Sequence, residues 1–206
     1  MLAAVTAFAY RRVIHPWQGR WGATDGEIVA SLPGDDLIAE PAGQITRAIE
    51  IAGPPEAAWP WVVQLGADRG GFYSYDRLEN LFRLGIHSAD EVVPEWQERA
   101  VGDLVHADAA GGNGWYVMDV QPPHALVLQM ANVGEGRPFR REERPFIEFS
   151  WAFVLTPHGD GGARLLVRER VAFGNALARL GFGPVGVISF VMTQKMMRGI
   201  KRRAEA

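Results

Sequence analysis

The chain has 206 residues, 48% of them apolar and 22% charged, which is enough for one domain with a sizeable core and too apolar for a disordered chain. A formal charge of −3, with only two lysines among 21 basic residues, gives no reason to expect nucleic-acid binding. The absence of Cys excludes disulfides, thiolate nucleophiles and Cys-ligated zinc or iron–sulfur centres, and fits a reducing, cytoplasmic setting.

Met1 to Tyr10 is apolar and runs directly into Arg11 and Arg12. It is too short to cross a bilayer, which takes about 20 residues, and it lacks the basic leader and cleavage site of a secretory signal. Two readings stand for it. One is a short helix packed on the body; the other is the stub of a membrane anchor, with peripheral association through residues 1–12. Residues 15–43 are punctuated by Pro16, Gly19, Gly22, Gly26, Pro33, Gly34, Pro41 and Gly43, which predicts an extended arm lying over the domain. The expected division is therefore an apolar segment and arm over 1–43 and a folded domain over 44–206.

Ile45 to Ala52 alternates as a strand and ends at Gly53-Pro54-Pro55, where a helix over Glu56 to Leu65 begins. Its apolar face is Ala58, Val62 and Leu65, and Pro60 should kink it. A second helix is expected from Tyr75 to about Leu84, with Ser74 as a candidate N-cap and Leu78, Leu81 and Phe82 marking its apolar face. Five strands then follow: Val101–Ala107, Gly114–Gln121, Ala125–Asn132, Phe146–Thr156 and Ala163–Phe173. Their links carry turn residues, so neighbours should be antiparallel. A helix from Gly183-Pro184 to about Ala204 closes the chain. Its apolar run Leu180 to Thr193 predicts burial on nearly all sides. The resulting class is α+β: a curved antiparallel sheet wrapped around a long C-terminal helix, with two short helices after the first strand, a helix-grip arrangement.

Ile45-Thr46-Arg47-Ala48-Ile49 and the following Ala52-Gly53-Pro54-Pro55-Glu56-Ala57-Ala58-Trp59 resemble the opening of the START/pollen-allergen-like superfamily, also called SRPBCC. Arg69-Gly70-Gly71-Phe72-Tyr73-Ser74-Tyr75-Asp76, Leu78-Glu79-Asn80, Ile86-His87-Ser88-Ala89-Asp90 and Pro94-Glu95-Trp96-Gln97 resemble a bacterial, polyketide-cyclase-like branch of it. The resemblance implies a cavity for an apolar or amphipathic small molecule. It implies no particular reaction, since the superfamily includes both carriers and cyclases. Longer members that resemble this chain carry a membrane helix in front, which strengthens the anchor reading of the N-terminus.

Gly181-Phe182-Gly183-Pro184-Val185-Gly186 matches G-x-G-x-x-G, but no strand follows the helix it opens, so no dinucleotide cofactor is expected. The five His residues fall in five separate segments without ligand spacing, so no metal is expected. Asp76, Glu79, Asn80 and Arg83 form one stripe of the second helix, either solvated or forming a cavity wall. In the latter case Tyr73 and Tyr75 just before the stripe, with His87 and Asp90 just after it, could join Asp76 for acid–base work. Glu169 sits on an apolar strand face, as does Arg47; the resemblance implies that the first and last strands are antiparallel neighbours, so that the two meet across the ladder, either as a structural pair or as ligand-orienting groups. Trp115, Phe149, Trp151, Met192 and Met196 are read as core or cavity lining. The loop Gly134–Pro145 is either a lid or a plain connection.

Three functions remain open. The first is binding of a lipid-like or polyketide-like ligand, through Arg47, Tyr73, Tyr75, Trp115, Phe149, Trp151, Glu169, Met192 and Met196. The second is a cyclase or dehydratase using Tyr73, Asp76, His87 or Glu169. The third is a membrane-associated scaffold without chemistry.

Overall fold

A computed structural model describes residues 15–140, 142–143, 147–181 and 185–206; the apolar segment 1–12 lies outside them. Two short helices, α1 (His15–Gly19) and α2 (Asp25–Val29), precede strand β1 (Gly43–Ile51). Helices α3 (Pro55–Val63) and α4 (Asp76–Leu81) follow. The strands β2 (Leu104–His106), β3 (Gly114–Gln121), β4 (Ala125–Asn132), β5 (Arg137–Pro138), β6 (Ile147–His158) and β7 (Gly162–Phe173) come next. Helices α5 (Ala176–Gly181) and α6 (Val185–Ala204) end the chain. The sheet is antiparallel in the order β1-β7-β6-β4-β3-β2, with β5 attached to β4. This is the α+β helix-grip class.

The β6–β7 hairpin is the longest ladder, running from Ile147 opposite Phe173 to His158 opposite Gly162. Its turn uses Gly159 and Gly161 at positive φ, which a side chain would resist. Strict alternation along β7 sends Leu165 and Val167 into the core and Arg164, Arg168 and Arg170 to the other face. β1 returns to pair with β7, with Ile45 opposite Glu169 and Ile49 opposite Leu165, and forms a sheet edge. On the inner face α3 buries Ala58, Trp59 and Val62 in one core with Met196, Met197 and Ile200 of α6. A Cβ on Gly199 would lie 2.5 Å from the Tyr73 carbonyl oxygen, so glycine is what lets α6 approach the chain so closely.

The segment 15–43 departs from the expected extended arm. It holds α1, α2 and a 3-10 turn over Asp35–Ile38. The capping box of α2, in which Thr24 and Glu27 bond each other's backbone N–H, outweighs the glycines around it. The segment first closes the β1 edge, where the Ala48 N–H donates to the Trp21 carbonyl at 3.0 Å. It then covers the outer face through the arginines of β7. Arg164 donates to Glu27 at 2.7 Å, and Arg170 pairs with Asp35 at 2.8 Å. Arg168, only 2% exposed, donates to Asp35 and to the carbonyls of Ala30, Glu27 and Ile28, while its Nε donates to Thr46.

Three further expectations are corrected. α4 is shorter than expected, and Ser74 does not cap it; the Ser74 hydroxyl donates to the Met192 carbonyl. Its facing is also reversed, for Leu81 and Phe82 are exposed while Glu79 is buried. The cause is two side-chain clamps. Asn80 exchanges hydrogen bonds with the Ile86 backbone, and Asp76 accepts from the Ser88 N–H and hydroxyl, which fixes the helix with its polar stripe inward. The first half of α6 is likewise not enclosed, because the sheet and α4 reach only one side of it and Val187, Ile188 and Val191 stay exposed. The Gly181–Gly186 motif falls largely outside the described residues.

Arg168→Met should unfold at lower urea with a loss of about 3–5 kcal/mol, because Asp35 and three backbone carbonyls lose a buried cation. Faster proteolysis within residues 15–43 is the accompanying sign.

Candidate functional site

A partly enclosed pocket of about 490 Å³ lies between the inner sheet face, α4 and α6. It exists because α6 presents short or flexible side chains to this part of the sheet: Ser189, Met192, Thr193 and Met196. The opposite wall is aromatic. Trp115 and Trp151 have ring centroids 5.4 Å apart, Phe72 stacks on Trp151 at 6.3 Å, and Phe149 and Trp151 are 6.4 Å apart. Alternation along β3 and β6 aims these rings at one face, and β-pairing brings them side by side. The indole N–H groups of Trp115 and Trp151 are buried without a partner among the described residues.

Glu79 reaches the pocket from α4. It is 6% exposed, and its Oε2 has no hydrogen-bond partner among the described residues. Burial, with a smaller contribution from the neighbouring Asp76 carboxylate, raises its pKa to about 7. A neutral carboxylic acid in an apolar wall can donate a hydrogen bond to a ligand oxygen, and near neutral pH it can take or give a proton.

Glu169 lies at another wall and is fully engaged. Arg47 donates to it at 2.7 Å, the Thr193 hydroxyl at 2.9 Å and the Ser189 hydroxyl at 2.7 Å. Arg47 is buried behind it. Its Nε donates to the Gln18 carbonyl at 3.0 Å, and the Phe190 ring lies 5.6 Å from the guanidinium carbon. Burial pulls the Arg47 pKa below the usual guanidinium value, and Glu169 offsets this in part. The pair spans the ladder diagonally, since Ile45 is the residue opposite Glu169.

Of the residues singled out in the sequence, Trp115, Phe149, Trp151, Glu169, Met192 and Met196 line this pocket. Arg47, Tyr73 and Tyr75 do not. Tyr73 is buried in the core, where Gln64 donates to its hydroxyl at 2.9 Å and burial pushes its pKa upward. Tyr75 is half-exposed under the Lys195 ammonium. The expected grouping of Tyr73, Asp76 and His87 does not form. Asp76 is spent on Ser88, His87 is exposed, and Asp90 pairs with Arg203. The described part of the Gly134–Pro145 loop does not border the pocket. Arg137 pairs there with Glu135 and Glu143, beside a second, polar pocket of about 600 Å³.

Sequence reasoning left Glu79 undecided and passed over Ser189 and Thr193. The i, i+4 spacing of two hydroxyls inside an apolar helical run was the available signal, because such a pair needs a buried partner. Asp108 also borders the pocket. The Gly112 N–H and the Asn113 side chain lower its pKa, so it serves its own turn.

No family model matches the chain, and no curated protein matches it. Solved structures do resemble it. A norcoclaurine synthase mutant from Thalictrum, solved with a transition-state analogue, is 13% identical over 79% of this chain and 93% of its own, with a TM-score of 0.47. A Mesorhizobium loti protein is 16% identical over 78% and 96%, at 0.44. An HSP90 activator from Plasmodium falciparum is 15% identical over 77% and 94%, at 0.42. At these scores they transfer no ligand, reaction or partner to this chain.

Two outcomes are expected. Unfolded, Glu79 loses its proton near 4.5, whereas folded it keeps it until about 7. The native state therefore binds the extra proton between these values, and stability falls as pH rises through that window and then levels off. Glu79→Gln should flatten this slope and stabilise the protein at pH 8 by on the order of 2 kcal/mol, read by urea titration across pH. Arg47→Met or Glu169→Leu alone should each cost about 3–5 kcal/mol, and the double variant much less than the sum, read by a double-mutant cycle.

Proposed function

We propose that this protein binds a small, largely apolar molecule with one or two polar atoms between its sheet and its C-terminal helix. The observation that carries the reading is the pocket itself. It has about 490 Å³ of space with aromatic and methionine walls, next to two indole N–H groups and one carboxyl oxygen that have no protein partner. Ligand sites typically combine an apolar body with a few polar points that set orientation. Unpartnered buried donors cost stability, and a ligand carbonyl or hydroxyl would satisfy them. The START-like resemblance of residues 45–59 and 69–97 supports the same reading and favours lipid-like or polyketide-like ligands. The flexible Met192 and Met196 suit a site that accepts related shapes.

A second reading, an enzyme of cyclase or dehydratase type, is favoured by one observation: Glu79, poised near neutral pH, borders the same pocket as Glu169. Glu79 would then exchange the proton, while Glu169, tied to Arg47, Ser189 and Thr193, would supply a fixed negative charge. Under this reading Tyr73, Asp76 and His87 take no part.

Native mass spectrometry of protein purified from several hosts should show co-purifying small molecules. Met192→Trp, which fills the pocket, should remove them while retaining the far-UV circular dichroism. A Met192→Trp protein that still carries the same ligand would overturn the reading. Glu79→Gln separates the two functions: a carrier keeps its ligand, whereas an enzyme keeps ligand but loses turnover by about 100-fold or more.

A further inference from the structure

The two helices that wall the pocket each turn an apolar face to solvent. On α4, Glu79 faces the pocket, while Leu78, Leu81 and Phe82 are 46%, 75% and 71% exposed. On α6, Ser189 and Met192 face the pocket, while Ile188 and Val191 are 60% and 40% exposed. These faces are joined. The Lys195 ammonium lies 5.7 Å from the centre of the Tyr75 ring, and the Ser74 hydroxyl donates to the Met192 carbonyl. The spacing Tyr75, Leu78, Leu81/Phe82 on one helix and Ile188, Val191, Lys195 on the other makes each a stripe along its axis. The stripes meet at the Tyr75–Lys195 contact. Exposed apolar residues grouped in this way mark an interaction surface.

Charge on these helices is mostly positive. Although the whole chain carries −3, no Asp or Glu occurs between Glu169 and Glu205. Within that stretch Arg179 and Arg198 are exposed and Lys195 is half-buried, and Arg77 and Arg83 are exposed on and just after α4. Of the two acids of α4, Glu79 is buried, and Asp76, whose oxygens turn to Ser88, leaves one negative charge against these cations. A second copy docking on this face would set these cations against themselves. A surface that is both apolar and cationic matches a bilayer with anionic headgroups, where side chains such as leucine and phenylalanine enter the acyl boundary and arginine and lysine meet phosphate.

We propose that the Leu78–Leu81–Phe82 and Ile188–Val191 faces of α4 and α6 dock together on an anionic lipid surface, with the pocket opening beside it. The docking rests on surface residues alone and stands whatever fills the pocket. It is distinct from any attachment through residues 1–12.

The test is co-sedimentation of the full chain with phosphatidylcholine vesicles, with and without about 30 mol % phosphatidylserine. Binding should require the anionic lipid and weaken at about 0.5 M salt, where charges are screened within a few ångströms. Leu81→Glu with Phe82→Glu should reduce vesicle binding by about tenfold or more, with unchanged circular dichroism, since both side chains are exposed. Val29→Glu, on the exposed arm, should leave binding unchanged. Met192→Trp should also leave it unchanged, which separates this proposal from the ligand reading. Three results would overturn it: no binding to anionic vesicles; binding abolished by removing residues 1–12 but untouched by the Leu81→Glu/Phe82→Glu variant; or self-association that this variant abolishes in the absence of lipid.

Discussion

One buried ion pair organises this molecule. Arg47 on the edge strand and Glu169 on its neighbour are both almost inaccessible, and each reaches beyond the sheet. Glu169 takes hydroxyl hydrogen bonds from Ser189 and Thr193 of the C-terminal helix, and Arg47 donates to the carbonyl of Gln18 in the N-terminal arm. Arm, edge strand, last strand and last helix are therefore tied at one point. Phe190 covers the guanidinium, and Trp17 packs on Phe190 at 5.4 Å, which keeps water from the pair. Desolvating two charges is expensive, and here both Glu169 oxygens and two of the guanidinium nitrogens are matched, while Arg47 Nη2 is left without a partner among the described residues. Its yield is position: it sets where the helix lies over the concave sheet, and therefore how much space remains beside it.

That space has two kinds of polar group. Glu169 is satisfied by protein, whereas Glu79 and the indoles of Trp115 and Trp151 are not. A fully paired carboxylate is part of the scaffold, while unpaired donors and acceptors next to a cavity are open to a guest. The contrast sets the Arg47–Glu169 pair apart as the frame of the cavity and Glu79 as the carboxyl left open inside it. The same inward turn of α4 that buries Glu79 forces Leu81 and Phe82 outward. A helix of so few residues cannot bury both faces, so the interior chemistry and the exposed apolar rim are consequences of one choice.

Much of the architecture was legible from the chain. Strand-length apolar segments over 114–121, 125–132 and 163–173, reached through short Pro- or Gly-containing turns, specified an antiparallel sheet, and an isolated Glu on the apolar face of 163–173 called for a buried partner. The arm was less legible. Its glycines and prolines suggested an extended path, whereas the Thr24–Glu27 capping box and the Arg164–Arg168–Arg170 comb of β7 give it short helices and a fixed seat. Nothing local to residues 15–43 announces that three arginines more than a hundred positions away will donate to their carbonyls.

The sequence alone determined the order of the long strands and of α3, α4 and α6, the antiparallel pairing favoured by short turns, and which face of β7 is apolar, because these follow from side-chain period and turn chemistry within a few residues. Only the tertiary structure decided which side of α4 faces inward, which half of α6 is left uncovered, and that Glu79 rather than Tyr73 or His87 borders the cavity. Those outcomes rest on hydrogen bonds between separate segments, such as Ser88 to Asp76, Ser74 to Met192 and Thr193 to Glu169. Periodicity can say that a helix has two faces, but the free energy that chooses between them belongs to partners the chain brings near only when it folds.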